Sequence, residues 1–234
     1  MRPATGAFRF LEFCMRSLAQ TKVLRQAGLA AFATLALGYP RLAAWPHRTE
    51  ALFILCLLLL WSAFVLWAFV FAWPERGTAP RPFEFPRSAG LWGLATAYAA
   101  LAILWLHWIV DPRLRVATPG DYPQDLPSWA AMSLFMLAFE PLFLYFAPFA
   151  VWSRLTRRPA IAWWGTVLFG VFVFLLKLQS LPVLPPPSLF ALMILVRITS
   201  GCLTLYFYVR GGVWLVWWLI FLTQLRHLPA VFPA

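Results

Sequence analysis

The stretch ALFILCLLLLWSAFVLWAFVFAW, residues 51–73, decides the fold, because it runs for 23 residues without a charged side chain. At 1.5 Å of rise per residue, a helix needs about 20 apolar residues to cross about 30 Å of hydrocarbon. Working outward, residues 91–110 form a second such run, interrupted by His107 alone. Residues 27–45, 127–152, 161–181, 188–209 and 213–225 are five further apolar stretches of helical length. The expected fold class is therefore all-α: a polytopic integral membrane helical bundle of about seven transmembrane helices. Pro40 and Arg41 make the first span the weakest, and Pro141 and Pro148 should bend the fourth. Arg210, Gly211 and Gly212 are expected to form a tight turn between the last two spans.

Composition agrees with this reading. Hydrophobic residues make up 62% of the 234 positions and charged residues 12%, where a soluble domain carries about a quarter charged. A soluble enzyme is excluded, since the spans leave no stretch for a separate soluble domain. The three cysteines, Cys14, Cys56 and Cys202, lie far apart, so neither a zinc site nor a disulfide framework is indicated.

Residues 1–26 interleave Arg2, Arg9, Arg16, Lys22 and Arg25 with Phe8, Phe10, Leu11, Phe13 and Leu18. This pattern predicts an N-terminal amphipathic helix lying in the cytoplasmic interface. Residues 27–234 then form a single transmembrane domain. A cleaved signal peptide ending near Gly38 is the alternative, set against an unusually long basic region.

The net charge of +11 would suggest nucleic acid in a soluble chain, but here the cations lie between apolar runs, so no nucleic-acid partner is expected. Alternating the loops gives one side five cations in the N-terminal tail, three each in residues 74–89 and 153–160, and Arg210. The other side receives six, offset by Glu50, Asp111, Asp121 and Asp125. The N-terminus is therefore expected in the cytoplasm. Seventeen arginines against two lysines suggest a GC-rich genome and hence a bacterial cytoplasmic (inner) membrane.

Ionisable groups inside a membrane are functional candidates by default, and the spans contain three near their interiors: His107, Glu140 and Arg197. Counted inward from the same side, Glu140 is 13 residues deep and Arg197 is 9 deep, an offset of about 6 Å that an arginine side chain covers. A buried Glu140 to Arg197 pair is predicted. His107 could contact a ligand or pigment, although no second ligating residue stands three or four positions away. No metal site is expected. Trp214, Trp217 and Trp218 on the last span are the candidate surface for a partner or lipid.

Residues 127–225 resemble the CPBP family of intramembrane proteins, which includes the CAAX prenyl proteases and Abi-type proteins. The likeness rests on Phe139-Glu140, on Leu168-Phe169-Gly170, and on the stretch from Gly201 through Tyr208, Arg210 and Gly212 to Trp214. The resemblance implies a Glu-Glu-x-x-x-Arg motif, a Phe-x-x-x-His motif and a late histidine with an amide four positions on. Here Pro141 and Tyr145 replace the second glutamate and the arginine, Val173 and Ile220 replace the two histidines, and Glu140 and Gln224 alone remain. Peptide hydrolysis needs a base to activate water and donors to stabilise the oxyanion, which valine and isoleucine cannot supply.

The expectation is thus a catalytically inactive membrane protein, a scaffold or accessory subunit whose partners are membrane lipids and other integral membrane subunits. Its ancestral cavity would be filled by Val173, Ile220, Tyr145 and neighbouring aromatics. No cofactor is expected. A binder of lipid, quinone or pigment, and a divergent protease using Glu140, are the alternatives.

Overall fold

The computed structural model describes residues 18, 20–44, 49–72, 82–117, 122–179 and 186–232. Most of the expected N-terminal interfacial segment, Cys14, His47 and the cations Arg48, Arg76 and Arg81 lie outside the described residues. Among those described there is no strand. The helices are α1 (Thr21–Ala43), α2 (Thr49–Phe71), α3 (Ala89–Trp105), α4 (Asp111–Ala117), α5 (Leu126–Ala138), α6 (Ala147–Thr156), α7 (Pro159–Gln179), α8 (Pro187–Gln224) and the short α9 (Leu228–Val231). Pi-helical turns at Leu106–Val110 and Leu142–Phe146 join α3 to α4 and α5 to α6. Five of the resulting helical runs are long and apolar enough to cross a membrane.

Small residues set the packing. Helix α1 buries Ala27, Ala31, Thr34 and Gly38 at near-heptad spacing, and α3 buries Ala95 and Ala99 one turn apart. In hydrocarbon, association depends on close van der Waals contact, which small side chains permit. At Gly38 a Cβ would come within 2.9 Å of the end of the Leu59 side chain, so glycine there leaves Leu59 room to pack against α1. The buried Trp67 ring is paired, as a lipid environment favours. The Trp67 indole donates to Thr34 at 3.0 Å, and the Thr34 hydroxyl donates to the Ala30 carbonyl at 2.9 Å.

Prolines explain the pi turns. Pro112 has no N–H to give the Trp108 carbonyl, and the preceding amide of Asp111 reaches back five residues to Leu106. The turn Leu142–Phe146 sits between Pro141 and Pro148, and the Ala147 amide likewise reaches Leu142. One consequence corrects the sequence reading: residues 111–117, expected as loop, continue the third helix. At its other end α5 starts on a capping box, in which the Asp125 carboxylate accepts the Ser128 amide at 2.8 Å.

Helix α8 turns back on itself at Gly212, whose φ of 67° and ψ of −161° suit only glycine. Leu189, near its start, packs with Leu178 and Leu114, while Arg226, just past its end, bonds Asp111. A straight helix of 38 residues would hold these two points about 55 Å apart, so the chain must reverse. The reversal is pinned where the Val213 amide donates to the Pro82 carbonyl at 2.8 Å.

These contacts define two ends of the bundle. One end carries residues 82–88, 157–158 and 211–213, with Lys22, Arg25, Arg87, Arg154, Arg157, Arg158 and Arg210 close to it. The other carries residues 111–117, 122–125 and 225–232. At the first end Phe83 inserts between α2 and α8, its ring 5.3 Å from that of Trp67 and 5.9 Å from that of Trp217.

Candidate functional site

Glu140 stands where α5 gives way to the pi turn, and Arg197 lies ten residues into α8. Their side chains meet with Arg197 Nη1 3.5 Å from Glu140 Oε1, and they are 20% and 32% exposed respectively. The guanidinium also donates through Nε to the Gly170 carbonyl at 3.4 Å and lies 5.8 Å from the centre of the Tyr145 ring. Tyr145, at the position where the resemblance implies an arginine, instead offers its π face to one.

The ion pair is a wall shared by two cavities. The first, of about 580 Å³, reaches from Glu140 and Arg197 past Phe139, Phe143, Val173 and Phe174 to Arg41, Lys177 and Arg226. The second, of about 550 Å³, lies between α3 and the two arms of α8, against Tyr98, Trp105, Ile220 and Gln224. Val196, Ser200 and Met136 line both. Volumes of several hundred Å³ are those of small-molecule sites. Val173, Ile220 and Tyr145, expected to fill one ancestral cavity, instead line open space: Val173 faces the first cavity, and Ile220 and Tyr145 the second.

Both remnant positions of the motif line the second cavity. Gln224 is 4% exposed, its amide nitrogen 3.1 Å from the Met136 sulfur, and its Oε1 has no hydrogen-bond partner among the described residues. Its backbone carbonyl accepts the Trp129 indole N–H at 2.9 Å, which ties α8 to α5. Among the described residues, Glu140 is the one carboxylate lining either cavity, and no histidine or cysteine lines them.

The other candidates lie elsewhere. His107 sits on the first pi turn with its ring edge against Trp108, 5.3 Å between centroids, and lines neither cavity. Trp214 and Trp218 are 38% and 37% exposed, and both turn their polar edges inward. Trp214 donates to the Phe83 carbonyl at 3.1 Å and Trp218 to the Thr96 hydroxyl at 2.9 Å. Trp217 packs edge-on against Trp214. Much of this aromatic face is thus spent on the chain's own 82–96 segment.

Sequence reasoning missed a polar cluster where the cavities reach the second end. Asp111, 3% exposed, accepts from Arg226 Nε at 3.2 Å and from the Tyr122 hydroxyl at 3.0 Å. Burial, then the Asp111 charge and hydrogen bond, raise the Tyr122 hydroxyl well above its ordinary range, so it stays a donor. His227, also 3% exposed, packs its ring on Tyr122. A signal existed: Asp111 and Arg226 end two spans on the same side with opposite charges. No family model, curated protein or solved structure matches the chain.

Proposed function

We propose that this chain is a non-catalytic, seven-span membrane protein that binds a small amphipathic molecule in the cavities on either side of the Glu140–Arg197 pair. The helix broken at Gly212 is read as two spans. The arginine-rich first end is read as facing the cytoplasm of a bacterial inner membrane, with the N-terminal segment on that surface. The observation that carries the reading is the joining of two apolar cavities at one charged wall, with no histidine, cysteine or second carboxylate lining either among the described residues. That arrangement suits holding a molecule rather than transforming it. The CPBP resemblance is compatible with this, a protease-like bundle whose motif positions have turned apolar.

The test is purification in mild detergent from the native membrane, then solvent extraction and mass spectrometry. The wild-type chain should carry an amphipathic molecule near one per chain. Val196→Trp, which puts bulk into both cavities, should lose it. A chain carrying no such molecule but eluting at fixed stoichiometry with other membrane subunits would overturn ligand binding in favour of the accessory-subunit role.

A further inference from the structure

The second cavity is electrically balanced. Its charged lining among the described residues is Glu140, Arg197 and Arg226. Glu140 and Arg197 answer each other. Arg226 answers the buried Asp111, which accepts from its Nε at 3.2 Å, and its Nη1 donates to the Thr223 carbonyl at 2.8 Å. A head group with a net charge would enter this partly dehydrated space without a counter-charge. The cavity therefore suits an uncharged molecule.

Its hydrogen bonding is not balanced. The Ser200 and Thr223 hydroxyls, which line the cavity, donate to the carbonyls of Arg197 at 3.2 Å and Ile220 at 2.8 Å. What they have left to offer is lone pairs. Gln224 is the stronger case, since it is 4% exposed and its Oε1 has no hydrogen-bond partner among the described residues, a state that buried amides rarely keep. Its nitrogen faces the Met136 sulfur, a weak acceptor. The terminal torsion of a glutamine is soft, so a small rotation brings the oxygen to a donor in the cavity. Met136 stands four residues before Glu140, about 6 Å at helical rise, so the Glu140 carboxylate, a second acceptor, is about one turn away.

From this imbalance we infer that the second cavity takes an uncharged hydroxyl compound, an alcohol or a phenol on an apolar body. Its O–H donates to Gln224 Oε1, and its body lies against Tyr98, Trp105 and Leu219, which line the same space. The inference rests on the ligand-binding reading and narrows it to a molecule that is neutral and donates a hydrogen bond. An ether or ketone of the same shape brings lone pairs alone, and leaves the Gln224 oxygen unpartnered in a site that water scarcely reaches. An ionised carboxylate brings lone pairs and a charge together, and faces Glu140 besides.

The experiment is a native mass-spectrometry titration of the full chain in neutral detergent with two matched pairs, hexadecanol with hexadecyl methyl ether and 4-dodecylphenol with 4-dodecylanisole, and with ionised hexadecanoate. At least one hydroxyl probe should bind with a Kd about tenfold below that of its methyl ether, the effect of one hydrogen bond to a buried acceptor. Which pair shows the larger ratio distinguishes an alcohol from a phenol. Gln224→Met keeps the side chain's length and the backbone carbonyl that Trp129 bonds, and should bring the ratio to about one while ether binding is unchanged, which reports that the variant is folded. Ile220→Trp, which fills the second cavity, should lose every probe, and tight binding to that variant would overturn the assignment to this cavity. Equal binding of hydroxyl and ether, a preference that survives Gln224→Met, or hexadecanoate binding more tightly than both hydroxyl probes would overturn the inference while leaving a binding cavity. Failure of all five probes to bind would overturn the cavity reading with it.

Discussion

Replacing Arg197 with methionine strands Glu140 at mid-depth, and the structure allows the cost to be worked out. An exposed ion pair contributes about 0.2–1 kcal/mol, whereas removing one partner of a fully buried pair costs about 3–5 kcal/mol. With the two side chains 20% and 32% exposed and 3.5 Å apart, Arg197→Met falls between these limits, at about 2 kcal/mol. Glu140→Gln should cost less, about 1 kcal/mol, since Arg197 keeps the Gly170 carbonyl and the Tyr145 ring. The double variant leaves no unpaired charge. It should lie within about 1 kcal/mol of the wild type and so show a coupling energy of at least about 1 kcal/mol. The assay is reversible unfolding in mixed micelles, followed by the fluorescence of the 14 tryptophans. If Arg197→Met cost under about 0.5 kcal/mol, or the two single costs simply added, the pair would not be an energetic unit and the reasoning would fail.

Other outcomes follow from particular contacts. Gly212→Ala forces a side chain into a φ of 67° and should destabilise by about 1–3 kcal/mol; a neutral result in the same unfolding assay would mean the reversal is made differently. Thr34→Val leaves the Trp67 indole N–H, donated at 3.0 Å, without an acceptor in a buried site, costing about 1–3 kcal/mol. Trp67→Phe combined with Thr34→Val should recover part of that loss. Asp125 has its carboxyl held below the ordinary 3.8 by the Ser128 side-chain and backbone hydrogen bonds. Its stabilisation is therefore full above that value and is lost as pH falls through the lower, folded-state value. Asp125→Asn should keep the cap but flatten the acid limb of a melting-temperature profile, and an unchanged limb would show that Asp125 does not contribute to it.

The positions of the helices follow from the sequence because each apolar run is as long as the bilayer is thick, a constraint that needs no tertiary information. Residues 51–73 could be read that way from composition alone. So could the break at Gly211-Gly212, since paired glycines between apolar runs mark a reversal. The nearness of Glu140 and Arg197 was legible from depth, as two polar groups at similar depth in hydrocarbon gain by meeting.

Other features depended on how helices pack once formed. Pro112 and Pro141 announce that a hydrogen bond is missing, but not that the ladder lengthens by one residue and carries the third helix on to Ala117. Whether Val173 and Ile220 fill a cavity or line one depends on the separation of α5, α7 and α8. No local pattern encodes that distance, because it is set by the summed shape of side chains from five helices. The Asp111–Arg226–Tyr122 cluster joins residues as much as 115 positions apart, and the folding back of α8 is what brings them together. The sequence by itself determined that this chain forms helices long and apolar enough to cross a membrane, with a charged pair among them. Tertiary structure alone decided that the pair faces two open cavities, because the gap between helices is a property of their packing and not of any one of them.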